Sequence, residues 1–417
     1  MAHMCTESSN DDPMTKTIQQ QQEEAEAEFM SVQFETASET ESDAGNRAEA
    51  EAQLVASFGV YEAEYAAIRK GVGIFHDPTR GLLVLRGKDV KDLLHRVTTQ
   101  EINDLTGGQS VRSFQLNTKG RIIADMIVHH GDDSTWLETD KCDVDSLAKS
   151  IDAYLFGEDV AIKNITDQRE LISLHGPASR QLIDALVAQP VTTPLDEEGT
   201  HHVIQFAGSE SDAQNIYLTA TRRDVCGSPG YHLWVPSEHA AHVYASLADA
   251  CGGLVPDVDA DATGGGAKRE IKGRAIGWAA YNTARIEAGT PLYHVDFGPD
   301  SLPAETGLFD SAVSLTKGCY TGQEIVARMY NLGHPKRVCV GFRCGDDQLP
   351  IAGAQVMDET SETIIGAVTS STLSPMSGNI AIGFATMKWA KHREGVKVQI
   401  PAEGQMVQAE MATLTFL

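Results

Sequence analysis

The chain has no C-x-x-C pair, and its seven cysteines, an odd number, are scattered without a framework spacing. That excludes a disulfide scaffold and leaves no spaced ligand set for a zinc ion or an iron–sulfur cluster of its own. Reduced thiols in a cytoplasmic protein are the plain reading, and no metal site is expected. Apolar runs of membrane-spanning length are missing too, and the opening "MAHMCTESSNDD" lacks the basic and apolar regions of a secretory signal. Positive charge is scarce: 33 basic against 59 acidic residues give a formal net charge of -26. Such a surface repels nucleic acid and anionic membranes, so neither is an expected partner. It suits the salt-loaded cytoplasm of a halophile.

Composition varies along the chain. Residues 1–53 hold 13 acidic and 2 basic side chains in low-complexity runs such as "IQQQQEEAEAEF", which predicts a disordered acidic tail. A short helix near Ala25 would have little to pack on. From Leu54 the pattern turns globular. "GLLVLRG" and "RIIADMIVHH" read as strands, "KDVKDLLHRV" and "CDVDSLAKSIDAYLF" as helices. Further strands ("ELISLHG", "HHVIQFAG", "NIYLTATR", "YHLWVP") alternate with the helices "PASRQLIDALVA" and "SEHAAHVYASLADAC". Short turns and no long parallel run indicate an α+β fold over residues 54–335. Residues 256–270, "PDVDADATGGGAKRE", read as a flexible insertion. The short Gly- and Pro-split strands of 336–417 predict a terminal β-barrel.

Two stretches carry chemistry. In "KGCYTGQE" (317–324), Thr321 and Glu324 fit a capping box, with Tyr320 and Ile325 as a hydrophobic staple, for the helix "GQEIVARMYNL". Cys319 then precedes a helix N-terminus with Lys317 two residues away, and both would favour a thiolate. The alternative is a packed structural cysteine; Gln323 and Glu324 have a capping role as their plain reading. In "RIIADMIV", Asp125 shares a strand face with Ile123 and Ile127, while the other face is also apolar. A carboxylate on an interior strand must be hydrogen-bonded structurally or open on a ligand site. "NTKG", with Asn117, forms the turn before it.

Other signals are weaker. His239 and His242 have a chelating spacing on a helix but no third ligand nearby. The pairs His129–His130 and His201–His202 are equally bare, "GGG" at 264–266 lacks the rest of a phosphate loop, and no Ser-His-Asp signature is present.

With these residues in view, the chain resembles the superfamily of the glycine-cleavage T-protein (aminomethyltransferase) and its YgfZ-type folate-binding relatives. "KGCYTGQE" matches the YgfZ-type signature K-G-C-aromatic-x-G-Q-E. "NTKGRIIADMIV", "LHGP", "RIEAGTPLY" and "GAVTSSTLSP" are similar to T-protein blocks, and the likeness runs from about Tyr61 to Leu417. It implies ferredoxin-like α+β pieces around a central folate pocket, closed by the barrel. It implies tetrahydrofolate, or a one-carbon derivative, as cofactor, with Asp125 at the nitrogen that carries the one-carbon unit. The implied folate contacts are Asp125, Asn117, His232, Tyr281 and Arg285. His232 and Tyr281 stand where the T-protein carries a pterin-binding Glu and an Arg, so the polar pair that would read the pterin edge is lost. Ala124 replaces the first Asp of the T-protein's pair.

The resemblance therefore implies a YgfZ-type protein that helps assemble or repair iron–sulfur clusters, with iron–sulfur enzymes or cluster carriers as partners. In that reading Cys319 is the reactive thiol and Lys317 stabilises it, with Asp125 facing the folate. The alternative is a folate-dependent one-carbon transferase, an aminomethyltransferase or related demethylase, in which Asp125 is catalytic and Cys319 is packed. A non-catalytic folate-binding regulator is the third.

Overall fold

A computed structural model describes residues 16–34, 50–189, 191, 195–207, 215–256 and 271–417. The first described elements are helix α1 (Ile18–Glu24) and a hairpin of β1 (Glu28–Phe34) and β2 (Ala50–Ser57). Helix α2 (Tyr61–Lys70) leads to β3 (Val72–His76), β4 (Arg80–Arg86), α3 (Val90–Val97), β5 (Gln109–Leu116), β6 (Ile122–His130), β7 (Thr135–Asp140), α4 (Val144–Asp152) and β8 (Ala161–Asn164). Next come β9 (Arg169–His175), α5 (Ser179–Leu186), β10 (His201–Phe206), β11 (Ile216–Arg222), β12 (Gly230–Pro236) and α6 (Ser237–Ala250). Strand β13 (Gly273–Ala275) and helices α7 (Trp278–Glu287), α8 (Phe309–Ala312) and α9 (Gln323–Leu332) complete the body. Strands β14 (Arg337–Cys344), β15 (Gln355–Asp358), β16 (Ile364–Ser374), β17 (Ile380–Lys388), β18 (Lys397–Ala402) and β19 (Gln405–Ala412) close into a barrel in the order β14-β17-β16-β15-β18-β19.

The body is two sheets, ordered β5-β6-β7-β4-β8 and β10-β11-β12-β9-β3-β13, antiparallel except for the β13–β3 pair. Each carries helices on its outer face because its strands alternate. In β6, Ala124, Met126 and Val128 point at Leu93 and Leu94 of α3 and Leu147 and Ile151 of α4. The buried set Val90, Leu93, Leu94 and Val97 marks the apolar stripe of α3. The inner faces meet through Leu82, Val84, Leu171 and Trp234. This is the expected α+β architecture with a terminal barrel. None of the described helices is long and apolar enough to cross a membrane.

The expectation of a disordered tail over residues 1–53 is corrected at 16–34 and 50–53, which are folded. Ile18 is buried in the α6 core, Thr17 and Gln20 make a reciprocal capping box, and Gln22 Nε2 donates to Tyr244 Oη at 3.3 Å. The acidic letters conceal apolar residues on paired strands: Met30, Val32 and Leu54 pack against Tyr281 and Phe75, and Phe29 against Val55 and Phe58. Residues 1–15 and 35–49 of that tail, and the expected insertion beyond Pro256, lie outside the described residues.

Candidate functional site

A cavity of about 300 Å³ lies between the two sheets, α7, the loop Thr290–Val295 and the β1–β2 hairpin. Its apolar walls include Met30, Val32, Leu54, Val225, Trp278 and Tyr281. Tyr281 is buried and stacks on Phe75, with ring centroids 4.7 Å apart and planes at 8°. Asp125 enters from β6 and is 8% exposed. Arg112, diagonally across on β5, grips both of its oxygens, Nε donating to Oδ1 at 2.9 Å and a terminal nitrogen to Oδ2. A bidentate guanidinium fixes the plane in which a carboxylate is presented.

Beneath it lies a buried polar layer contributed by both sheets. Glu138 on β7 is 1% exposed, accepts from Trp234 Nε1 at 3.0 Å, and pairs with His232 Nδ1 at 3.1 Å and His129 Nε2 at 3.3 Å. Arg80 bridges Glu138 and Asp140. Burial alone would raise the Glu138 carboxyl, but His232, His129 and Arg80 outweigh it and hold it well below the usual carboxylate range. His129 also meets Ser110 Oγ at 2.9 Å, and Ser110 meets His201 Nδ1 at 2.8 Å. Burial pushes the His201 imidazole down to about 3.

At the rim stand Tyr293 and His294. His294 has a left-handed backbone (φ 62°), and its Nε2 meets Asp143 Oδ2 at 2.7 Å and Cys142 Sγ at 3.7 Å. Burial opposes its charge, yet the Asp143 carboxylate prevails and lifts the imidazole to about 10. Burial, then the charges of Asp143, Asp125 and Asp140, push the Tyr293 phenol up.

Of the residues singled out in sequence, Asp125, His232 and Tyr281 meet in this cavity. Asn117 does not: its Oδ1 accepts from Lys119 N at 2.9 Å and Arg121 N at 3.0 Å, closing the turn before β6. Arg285 is fully buried elsewhere, paired with Asp296 and donating to Asn282 Oδ1 at 2.9 Å and Ser370 Oγ of the barrel at 2.7 Å. Cys319 is exposed and outside the cavity wall.

Lys317 is turned inward, not toward a thiolate. Its ammonium donates to the carbonyls of His95, Thr98 and Gln100, and burial pushes it down to about 8. The expected capping box is also corrected. Helix α9 starts at Gln323 with Gly322 (φ 83°) as N-cap and no side-chain cap bond, while Thr321 Oγ1 meets Tyr154 Oη at 3.1 Å. A Cβ on Gly322 would lie 2.8 Å from Asn117 O, and one on Gly120 would lie 2.8 Å from Ile325 Cβ. The turn needs glycine because it packs directly onto the "NTKG" turn. Ile325 is therefore packed on Gly120, while Tyr320 is buried in the core cluster that includes Phe114, Leu116 and Val326.

Reading the sequence missed Arg80, Arg112, Glu138, Tyr293 and His294. The alternation Trp136, Glu138, Asp140 in "TWLETD" was the available signal, since it sets two carboxylates on one strand face.

Residues 17–257 match the GCVT N-terminal domain, and residues 337–417 match the glycine cleavage T-protein C-terminal barrel domain. The match thus includes α1 and the hairpin, ahead of the Tyr61 boundary expected from motifs. The chain is 25% identical over 355 residues to an aminomethyltransferase of Staphylococcus carnosus, covering 85% of this chain and 89% of that one. It is 26% identical over 357 residues to one of Chloroherpeton thalassium, covering 85% and 90%. The crystal structure of the glycine cleavage system aminomethyltransferase T from Bartonella henselae superposes with a TM-score of 0.74 at 21% identity, covering 95% of this chain and 96% of that one. With its body and its barrel both matched, the chain belongs to the glycine cleavage T-protein (GCVT) family.

Proposed function

We propose that this protein is a tetrahydrofolate-dependent one-carbon transferase of the class its aminomethyltransferase relatives represent. The observation that carries this reading is Asp125, a carboxylate held by Arg112 within the apolar stretch Ile122–Val128 of β6 and opening on an interior cavity. The cavity suits a flat, partly polar ring system. Tyr281 and Trp278 give aromatic walls, and the buried hydroxyl of Tyr293, which has no hydrogen-bond partner, gives a donor. When bound, tetrahydrofolate supplies the nitrogens that carry a one-carbon unit. The chain's own part is to hold a fixed negative charge beside the site of transfer and to exclude water. Arg112 orients Asp125 without blocking both lone pairs of each oxygen, and the hairpin residues Met30 and Val32 cover the cavity. His232 is tied to Glu138 through Nδ1, which leaves Nε2 as the ring's other polar atom. Glu138 keeps an anion next to the position where the T-protein has its pterin-binding Glu.

Asp125→Asn is nearly isosteric and removes the charge together with one of the two Arg112 hydrogen bonds. Transfer of a one-carbon unit to tetrahydrofolate should fall about 10²–10⁴-fold, with folate affinity by calorimetry changed far less. Transfer within a few-fold of the parent would reject Asp125 as the residue that carries the reaction.

The second reading, iron–sulfur cluster assembly or repair of the YgfZ type, rests on Cys319. Cys226, Cys251, Cys339 and Cys344 are buried, whereas Cys319 is exposed in the signature loop. Under that reading Cys319→Ser as the sole cellular copy lowers aconitase activity under mild oxidant while protein level holds. Under the transferase reading it leaves aconitase and one-carbon transfer unchanged.

A further inference from the structure

Cys142, Asp143 and His294 come together across 150 residues of chain with Sγ, Oδ2 and Nε2 all within 4.8 Å of one another. The separations are 3.7 Å from Sγ to Nε2 and 2.7 Å from Nε2 to Oδ2. Ligands on a tetrahedral zinc ion stand about 3.3–3.8 Å apart, from ordinary Zn–N, Zn–O and Zn–S bond lengths. The thiol already has that spacing from Nε2, and the carboxylate, closer to Nε2 than a shared ion allows, would have to move off by under about 1 Å.

The thiol and the carboxylate both address the same ring nitrogen, Nε2. A Cys-His-Asp catalytic arrangement places them on opposite nitrogens, so nucleophile activation does not explain the cluster. Convergence of three different donor atoms on one point is what a cation explains. Thiolate, imidazole and carboxylate together select a borderline-soft divalent ion.

A second observation is independent of the cluster. The neighbouring Tyr293 is 5% exposed, its hydroxyl has no hydrogen-bond partner, and its ring lies 4.1 Å from that of His294, centroid to centroid. Tyr293 and His294 both line the cavity. A buried hydroxyl is seldom left unpaired unless a water or ligand completes it.

We propose that Cys142, Asp143 and His294 bind a zinc-class divalent cation at the cavity rim, leaving its fourth coordination position open toward the cavity. Three protein ligands and one open position is the pattern of metal sites that act on a bound molecule. An oxygen of the molecule bound in the cavity could then meet both that position and the Tyr293 hydroxyl, which lines the same cavity. The proposal does not depend on folate transfer, because the site is read by metal binding alone.

The untagged full chain, stripped with chelator, is titrated with Co²⁺ and then Zn²⁺. One equivalent of Co²⁺ should give a sulfur-to-cobalt charge-transfer band with four-coordinate visible bands, and Zn²⁺ should displace it one for one. Cys142→Ser should remove the charge-transfer band, and His294→Gln should weaken affinity by about tenfold or more. Cys319→Ser should change neither. Absence of a saturable one-to-one signal in the parent overturns the proposal. So does a band that persists in Cys142→Ser or disappears in Cys319→Ser. Cys142 is only half-buried and the serine variant is nearly isosteric, so this test stands even if His294→Gln does not fold.

Discussion

The Lys317 ammonium ends among three backbone carbonyls, and what it does for Cys319 follows from that. All three of its protons are used to satisfy the end of α3 and the loop after it, and the Tyr320 ring covers the ammonium at 5.0 Å. Lys317→Met should cost about 3 kcal/mol in denaturant unfolding, because buried carbonyls lose a charged donor. Alkylation of Cys319 in the folded protein should keep its rate. A slower rate at unchanged stability would restore Lys317 as the activator of the thiol. Arg285 is the stronger case. Arg285→Met leaves the buried Asp296 carboxyl without its cationic partner and should destabilise by about 3–5 kcal/mol, measured by urea unfolding. Asp125 was legible in the sequence because a carboxylate interrupts an apolar strand. Arg285 was legible only as part of a motif, and its structural use depends on Asp296 and Ser370, which no local pattern connects to it. Cys142 and His294 lie 152 positions apart, so only the tertiary fold juxtaposes them.

At the level of elements, the β1–β2 hairpin departs furthest from expectation. The strands EFMSVQF and AEAQLVAS sit among acidic, low-complexity runs, and the composition of the surroundings is a poor guide where a strand needs only alternate apolar residues and a partner. Met30 and Val32 wall the cavity, so under the proposed transferase reading the double variant Met30→Ser, Val32→Ser should weaken folate binding about tenfold, equivalent to about 1.4 kcal/mol. Both residues are half-buried, so the melting temperature should move by only a few degrees. An unchanged dissociation constant by calorimetry would mean the hairpin plays no part in binding. The strands and helices of the body were readable because their apolar periods agree with their secondary structure, as in α3 and β6. The start of α9 was not: "TGQE" satisfies the capping pattern on paper, but Gly322 takes a left-handed conformation to pack on Asn117, and tertiary contact displaces the local cap.

For the whole molecule, acid should be the destabilising direction. Burial holds His175 and His201 at about 3 in the folded chain, against about 6.5 when unfolded. The unfolded chain therefore binds more protons below pH 6.5, and stability falls as pH drops from 6.5 toward 3, with about 1.4 kcal/mol per unit of pKa difference at stake. Glu138, held low, adds to the loss below about pH 4.5, its unfolded value. Melting temperature measured from pH 7 to pH 4 should fall, and His201→Gln should flatten part of the slope. A flat profile would show that these imidazoles are not neutral and buried. The net charge of -26 adds a salt dependence, since screening relieves self-repulsion. The cavity wall, finally, runs no further along the chain than Val295, yet α7 is bolted to the barrel through Arg285 with Ser370 and Glu287 with Ser374. The barrel thus serves as a remote buttress. It touches nothing in the cavity, but it sets the tilt of the helix that presents Tyr281 and Trp278, so a loosened barrel would be felt first as a blurred aromatic wall.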